Sequence, residues 1–190
     1  NNGNIISMVS LPDFNLNKRE TIKDVNYINR VTKGTYELGS VFKTFTVAAG
    51  LDSELIEPET EFLNLEKKLN CGKSTITEYD NKILSDLTVE EILIKSGNIG
   101  SVRIGQMLEI EGLKSFLKKI GILDKIEFDI EEVGEPIPFR WGKCKLATAS
   151  FGHGITTTPL QLAKAYAIIS NGGFEINQTL IKHNTKNHKK

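Results

Sequence analysis

Leu38-Gly39-Ser40-Val41-Phe42-Lys43-Thr44-Phe45-Thr46-Val47-Ala48-Ala49-Gly50 is the stretch from which fold and chemistry can be read together. From Ser40 onward, Val41, Phe45, Val47 and Ala48 recur at helical spacing, Gly50 marks the end, and Leu38-Gly39 makes the entry. Ser40 and Lys43 therefore stand three positions apart at the start of a helix. At about 100° per residue the amine returns to nearly the same face as the hydroxyl. The helix N-terminus carries partial positive charge, which stabilises a developing alkoxide and, with desolvation, lowers the lysine pKa. A neutral lysine can then act as general base for a serine nucleophile.

The pair Ser115 and Lys118 repeats the same spacing inside a later helix, on the side where Lys114, Lys118 and Lys119 face water opposite Leu113, Phe116 and Leu117. Ser115 is expected at the surface, without a helix-end field or a desolvating pocket. Ser96-Gly97-Asn98 breaks a helix and can present a hydroxyl and an amide to a cleft, although such a triplet is also an ordinary C-terminal turn. Tyr79-Asp80-Asn81 and Lys95-Ser96-Gly97 are rival triplets. The first sits in a polar turn region, and the second lacks a strand to carry it. A Ser-His-Asp triad would need His153, whose flanking glycines suit a turn, or a histidine of the tail. No Gly-x-Ser-x-Gly elbow, phosphate loop or dinucleotide fingerprint occurs.

Outward from this centre, Asn2-Gly3 before Ile5, Ile6, Met8 and Val9 reads as a hairpin turn whose partner strand would lie before residue 1. Leu11 to Lys33 reads as a long polar loop with a short helix, and Asp52 to Asp86 as hairpin-like or irregular. Thr88-Val89-Glu90-Glu91 has capping-box spacing and opens a helix to Lys95. Amphipathic helices are expected over Ile99 to Leu108 and Gly112 to Ile120, with little regular structure from Asp124 to Trp141. Thr158-Pro159-Leu160-Gln161 opens a last helix, closed by Gly172-Gly173. Phe45, Leu93, Ile94, Leu162 and Tyr166 are the expected core.

The 190 residues suffice for one ordinary domain, 39% hydrophobic and 25% charged. Lysine plus arginine equals aspartate plus glutamate, 24 each, so the field of the whole chain favours neither nucleic acid nor acidic lipid. The basic tail of Lys182, Lys186, Lys189 and Lys190 with His183 and His188 reads as a solvated end. Cys71 and Cys144 lack metal or redox spacing; two buried free thiols are expected, with a single disulfide as the alternative. No run approaches the roughly 20 apolar residues that span a bilayer, and Asn1 to Asn4 do not read as a signal peptide.

Taken together, these residues resemble the transpeptidase domain of a class B penicillin-binding protein, closest to the division-type septal enzyme. Gly3-Asn4-Ile5-Ile6-Ser7-Met8-Val9-Ser10-Leu11-Pro12 is similar to the family's early strand, and Tyr36-Glu37-Leu38-Gly39-Ser40-Val41-Phe42-Lys43, with Asn29-Arg30 before it, to its nucleophile segment. Ser96-Gly97-Asn98-Ile99-Gly100 is similar to its second motif, and Phe151-Gly152-His153-Gly154 with Thr158 to Ala167 to a further class B signature. The resemblance implies an α+β fold, a partial penicillin-binding-protein or serine β-lactamase-like fold, mostly its helical part, with most of the antiparallel sheet missing. It makes Ser40 the acylated nucleophile, Lys43 its base, Ser96 a proton relay to the leaving amine, and Asn98 the holder of the substrate amide, which also helps orient Lys43.

By the same resemblance the donor is the D-Ala-D-Ala end of a peptidoglycan stem peptide, the acceptor is a neighbouring stem amine, and β-lactams imitate the donor. It implies no cofactor and no metal. Implied partners are cell-division proteins of the membrane, and the implied location is the periplasmic face of the bacterial inner membrane, anchored by a segment outside this chain. Two departures stand out: Leu38 replaces the usual proline, and no Lys-Thr-Gly or Lys-Ser-Gly strand follows between Asn98 and Lys190. Residues 1 to 190 are accordingly expected to be a transpeptidase domain truncated at both ends, inactive alone, with helix-rich circular dichroism and a broad melt. A D,D-carboxypeptidase or β-lactamase of the same fold, or a non-catalytic scaffold in cell division, are the alternatives; the Thr-Pro-Leu-Gln segment and the intact Ser40, Lys43, Ser96 and Asn98 weigh against them.

Overall fold

The computed structural model describes residues 2–21, 28–72 and 74–182. They form two compact units, one made of the residues up to Tyr36, Lys118–Ile137 and those from Thr156 onward, the other of Glu37–Leu117 and Pro138–Ile155. The elements are mixed, as the α+β expectation requires. Short strands β1 (Tyr36–Glu37), β2 (Glu61–Phe62), β3 (Lys68–Cys71), β4 (Ser74–Thr77), β5 (Leu87–Thr88) and β6 (Thr156–Thr157) accompany helices α1 (Lys43–Asp52), α2 (Val89–Ile94), α3 (Asn98–Lys119), α4 (Lys143–Ala149) and α5 (Pro159–Ser170).

The unit built on Glu37–Leu117 has its core in Phe42, Phe45, Ile92, Ile99, Val102, Ile104, Leu113 and Leu117, all at 0% exposure. Burying each side chain of this kind stabilises by about 1.5 to 3 kcal/mol. Helix α1 buries residues on most of its faces, Lys43, Phe45, Thr46, Val47, Ala49 and Gly50 among them, so it lies inside its unit rather than on it. The Phe42 and Phe45 rings meet edge to face at 5.7 Å, and the Thr46 hydroxyl donates to the Ser150 carbonyl at 2.9 Å. Gly105 of α3 allows the close approach of Ser150, because a Cβ there would stand 1.8 Å from the Ser150 hydroxyl.

Thr88 caps α2 through the expected capping box, its hydroxyl accepting from the Glu91 N–H while the Glu91 carboxylate accepts from the Thr88 N–H. Helix α3 carries a break at Glu109 (φ 58°, ψ −179°), which separates the two amphipathic segments read from the sequence. The polar stretch before α2 holds two antiparallel pairings, β3 with β4 (Lys68 opposite Thr77, Cys71 opposite Ser74) and β2 with β5 (Phe62 opposite Leu87).

Two expectations fail in this unit. Leu93 and Ile94 are not core residues, at 38% and 72% exposure, because α2 has only six residues and turns just Val89 and Ile92 inward. Nor are the cysteines free: Cys71 and Cys144 form a disulfide with Cα atoms 5.3 Å apart. Their 73-residue separation hid this, since only folding brings the end of β3 to the start of α4.

In the other unit α5 has its predicted cap, with the Thr158 hydroxyl accepting from the Gln161 N–H and Pro159 in the first turn. Gln161 is wholly buried, and its amide donates to the Gly121 and Asp124 carbonyls at 3.0 and 2.7 Å. Leu160, Ala165 and Ile168 are the buried side of α5, whereas Leu162 and Tyr166 are half-buried. The helix pattern was right but its inward face lies about one position away. Residues 16–21 form the short helix of the polar loop, of the 3₁₀ type.

The N-terminal turn also differs from expectation. Asn4 makes a parallel bridge to Thr179, with the Ile5 N–H donating to the Thr179 carbonyl at 2.9 Å and the Thr179 N–H to that of Gly3 at 3.0 Å. Ile5 to Val9 form no regular strand, and the pairing made by the turn is with a residue far along the chain. The basic tail beyond Lys182 lies outside the described residues.

Candidate active site

Ser40 lies in a 3₁₀ turn, Gly39–Phe42, that runs directly into α1. Its position follows from the glycine before it. The Gly39 N–H donates to the Gly152 carbonyl at 3.0 Å, and a Cβ on Gly152 would stand 2.0 Å from the Gly39 carbonyl oxygen. Gly152 also holds φ +84°, a conformation that L side chains rarely adopt, so the two backbone segments touch here because Gly152 has no side chain. The Ser40 side chain is exposed, and its N–H belongs to the first turn, where a helix leaves its donors without intrahelical partners.

One turn on, Lys43 is buried to 1% exposure. Its amine donates to two atoms of one residue, the Ser96 carbonyl at 2.5 Å and the Ser96 hydroxyl at 3.0 Å. Burial pushes the Lys43 pKa down from 10.5 to about 8, against the opposing negative charge of Glu78. At this pKa a far larger fraction of the amine is neutral near pH 7 than in an ordinary lysine.

Ser96 occupies the break between α2 and α3 at φ +52°. The Ser96 and Gly97 N–H groups close α2 by donating to the Leu93 and Ile92 carbonyls. Asn98 then starts α3, held by three hydrogen bonds from one short segment. Its side-chain amide donates to the Thr77 carbonyl at 2.8 Å, its N–H to Glu78 Oε2 at 2.6 Å, and the Ile99 N–H to Glu78 Oε1 at 2.9 Å. The orienting contact expected of Asn98 on Lys43 is instead made by Ser96.

Folding thus brings Lys43, Ser96 and Asn98 together with Thr77 and Glu78, which sequence reasoning missed. Glu78 sits in a polar tract with no periodicity, where no local pattern distinguishes it from its neighbours. Tyr79 is 70% exposed, and its hydroxyl donates to the Lys95 carbonyl. Lys95 pairs with Glu91 at 3.2 Å. Ser115 is exposed, and Lys118 faces Asp124 at 3.9 Å. His153 meets Glu37 at 3.1 Å and stacks on Phe151, so among the described residues its partners are those of a turn. Among the described residues no three His, Cys, Asp or Glu side chains gather as metal ligands, and no helix is long and apolar enough to cross a membrane.

The chain is 32% identical over 172 residues to a probable peptidoglycan D,D-transpeptidase FtsI of Caulobacter vibrioides, covering 90% of this chain and 29% of that protein. It is 30% identical over 174 residues to a probable peptidoglycan D,D-transpeptidase PenA of Neisseria flavescens, covering 90% of this chain and 42% of the relative. The chain therefore spans well under half the length of these relatives. Among solved structures, the apo transpeptidase domain of Burkholderia pseudomallei penicillin-binding protein 3 superposes with a TM-score of 0.75 at 28% identity, over 82% of this chain and 47% of that one. A peptidoglycan glycosyltransferase from Burkholderia ambifaria gives 0.78 at 26% identity, over 86% and 52%. The family model of the penicillin binding protein transpeptidase domain matches residues 1–190, and with that match over its whole length the chain belongs to this family.

Proposed function

We propose that the protein is a peptidoglycan D,D-transpeptidase that uses Ser40 as nucleophile. The observation that carries the reading is Lys43, a buried amine with a lowered pKa, one helical turn from an exposed serine and bonded to the Ser96 hydroxyl. Neutral Lys43 takes the Ser40 proton as the serine oxygen attacks the carbonyl between the two D-alanines. The Ser40 N–H lies where a helix end leaves a donor for the oxyanion. As the peptide C–N bond breaks, the proton returns from Lys43 through the Ser96 hydroxyl, 3.0 Å away, to the departing D-alanine amine. An amine of a neighbouring stem peptide then attacks the acyl-enzyme and displaces the Ser40 oxygen, its proton passing by way of Lys43 to that oxygen, and the new peptide bond cross-links the two stems. In this reading Asn98, whose side chain and N–H are held by Thr77 and Glu78, is the residue that holds the donor peptide amide.

β-Lactams are the expected inhibitors, since they acylate the same serine. Septal cell division, with membrane-bound division proteins as partners, is the role supported by the likeness to the FtsI-type relative. The Cys71–Cys144 disulfide supports an extracytoplasmic location, where thiols are oxidised.

The test is covalent labelling of the complete protein with a fluorescent penicillin. The label is expected on Ser40, lost in Ser40→Ala and unchanged in Ser115→Ala. A wild-type protein that takes no label, or a label that survives in Ser40→Ala, overturns the reading.

A further inference from the structure

We propose that Glu78 is a positioning residue for acylation, setting the Ser96-Gly97-Asn98 turn against Lys43 by holding the start of α3. The proposal rests on the acyl-transfer reading of Ser40 and Lys43. Both carboxylate oxygens of Glu78 are used, one on the Asn98 N–H at 2.6 Å and one on the Ile99 N–H at 2.9 Å. Charge-assisted bonds to two free N–H groups at a helix start are the strong form of a helix cap. Glu78 follows β4 directly, and the preceding Thr77 carbonyl takes the Asn98 side chain, so consecutive residues grip one asparagine from two directions.

That grip is transmitted along two residues of backbone. Ser96 holds a left-handed conformation that is strained for a residue with a side chain and persists only where its surroundings enforce it. The Lys43 amine depends on the outcome, since both of its hydrogen bonds end on Ser96. With the cap removed, the start of α3 can shift, and the amine loses the acceptor geometry through which it is aimed.

Glu78 also acts on Lys43 by charge, opposing the effect of burial. On the adjoining α2, Glu91 is engaged with Lys95 and with its own capping box, and Glu90 is exposed. A geometric role and a field role leave different traces. Loss of the grip lowers the maximal rate, whereas loss of the negative charge lets the Lys43 pKa fall and moves the alkaline-rising limb of the rate profile to lower pH.

The experiment measures second-order acylation of the complete protein by a fluorescent penicillin from about pH 6 to about pH 10, for wild type and Glu78→Gln. Glu78→Gln keeps the shape but offers only one acceptor oxygen. The expected result is a plateau at least about tenfold lower with the limb at lower pH than wild type. Equal plateaus, or a lower plateau with an unmoved limb, would overturn the proposal, the second by reducing Glu78 to a purely structural support. Should Glu78→Gln not fold, as circular dichroism would show, Glu78→Asp takes its place. It keeps the charge but cannot span both N–H groups, so a lowered plateau with an unmoved limb is expected, and a wild-type rate overturns the proposal. Failure of wild type to take any label overturns the underlying reading along with this one, whereas an intact label with an unaffected Glu78→Gln overturns this one alone.

Discussion

Lowering the pH should suppress acylation of Ser40 by penicillin along a curve set by Lys43. Burial leaves this amine at a pKa of about 8 rather than 10.5. At pH 7 it is then neutral in about 9% of molecules, whereas an ordinary lysine would be neutral in about 0.03%. The difference of roughly 300-fold in competent base corresponds to about 3 kcal/mol. Because the neutral form is the reactive one, the rate should rise with pH through the folded-state pKa. The penicillin acylation rate is expected to increase about tenfold per pH unit below pH 7, reach half its maximum near pH 8 and level off above about pH 9. Short incubations with a fluorescent penicillin, quantified on gels at each pH, read this directly. A rate constant that is flat between about pH 6 and 9, or one still rising tenfold per unit beyond about pH 10, would refute the assignment of a desolvated Lys43 as the base.

Three further outcomes follow from the same structure. Lys43→Arg should nearly eliminate acylation although the charge is kept, because guanidinium stays protonated; a rate within about tenfold of wild type, ~1.4 kcal/mol, would remove the general-base role. Reducing the Cys71–Cys144 disulfide, or replacing Cys144 by serine, should destabilise the protein by about 4 kcal/mol from the chain entropy of a 73-residue separation, measured as a shift in urea midpoint with and without reductant. An unchanged midpoint would show that the crosslink constrains nothing. Gly152→Ala should cost about 2 to 3 kcal/mol and slow Ser40 acylation, since its Cβ would fall 2.0 Å from the Gly39 carbonyl oxygen at a left-handed φ; a variant with the wild-type melting temperature and rate would contradict the close packing at the serine turn.

Local rules determined much of this protein from its sequence. The Ser40 helix start, both capping boxes at Thr88 and Thr158, the break between the two halves of α3 and the irregular stretch after Asp124 each depend on residues within a few positions of one another. Backbone propensity and short-range hydrogen bonding operate at that range, so spacing is sufficient evidence for them. The low-lying lysine pKa was also foreseeable in direction, because a helix start and burial both disfavour the charged amine. What spacing could not reach was every feature that needs two distant segments. Cys71 meets Cys144, Asn4 meets Thr179, Gly39 meets Gly152, and Thr77 with Glu78 grips Asn98, pairings that no local pattern announces. The exposure of Leu93 and Ile94 belongs with them, since hydrophobicity indicates that a residue can be buried and only the neighbouring elements decide whether it is. Ser40 and Lys43 at a helix start were therefore legible as text, while the partners of Lys43 and Asn98 were decided by packing, where contact is set by three-dimensional proximity and chain separation carries no information.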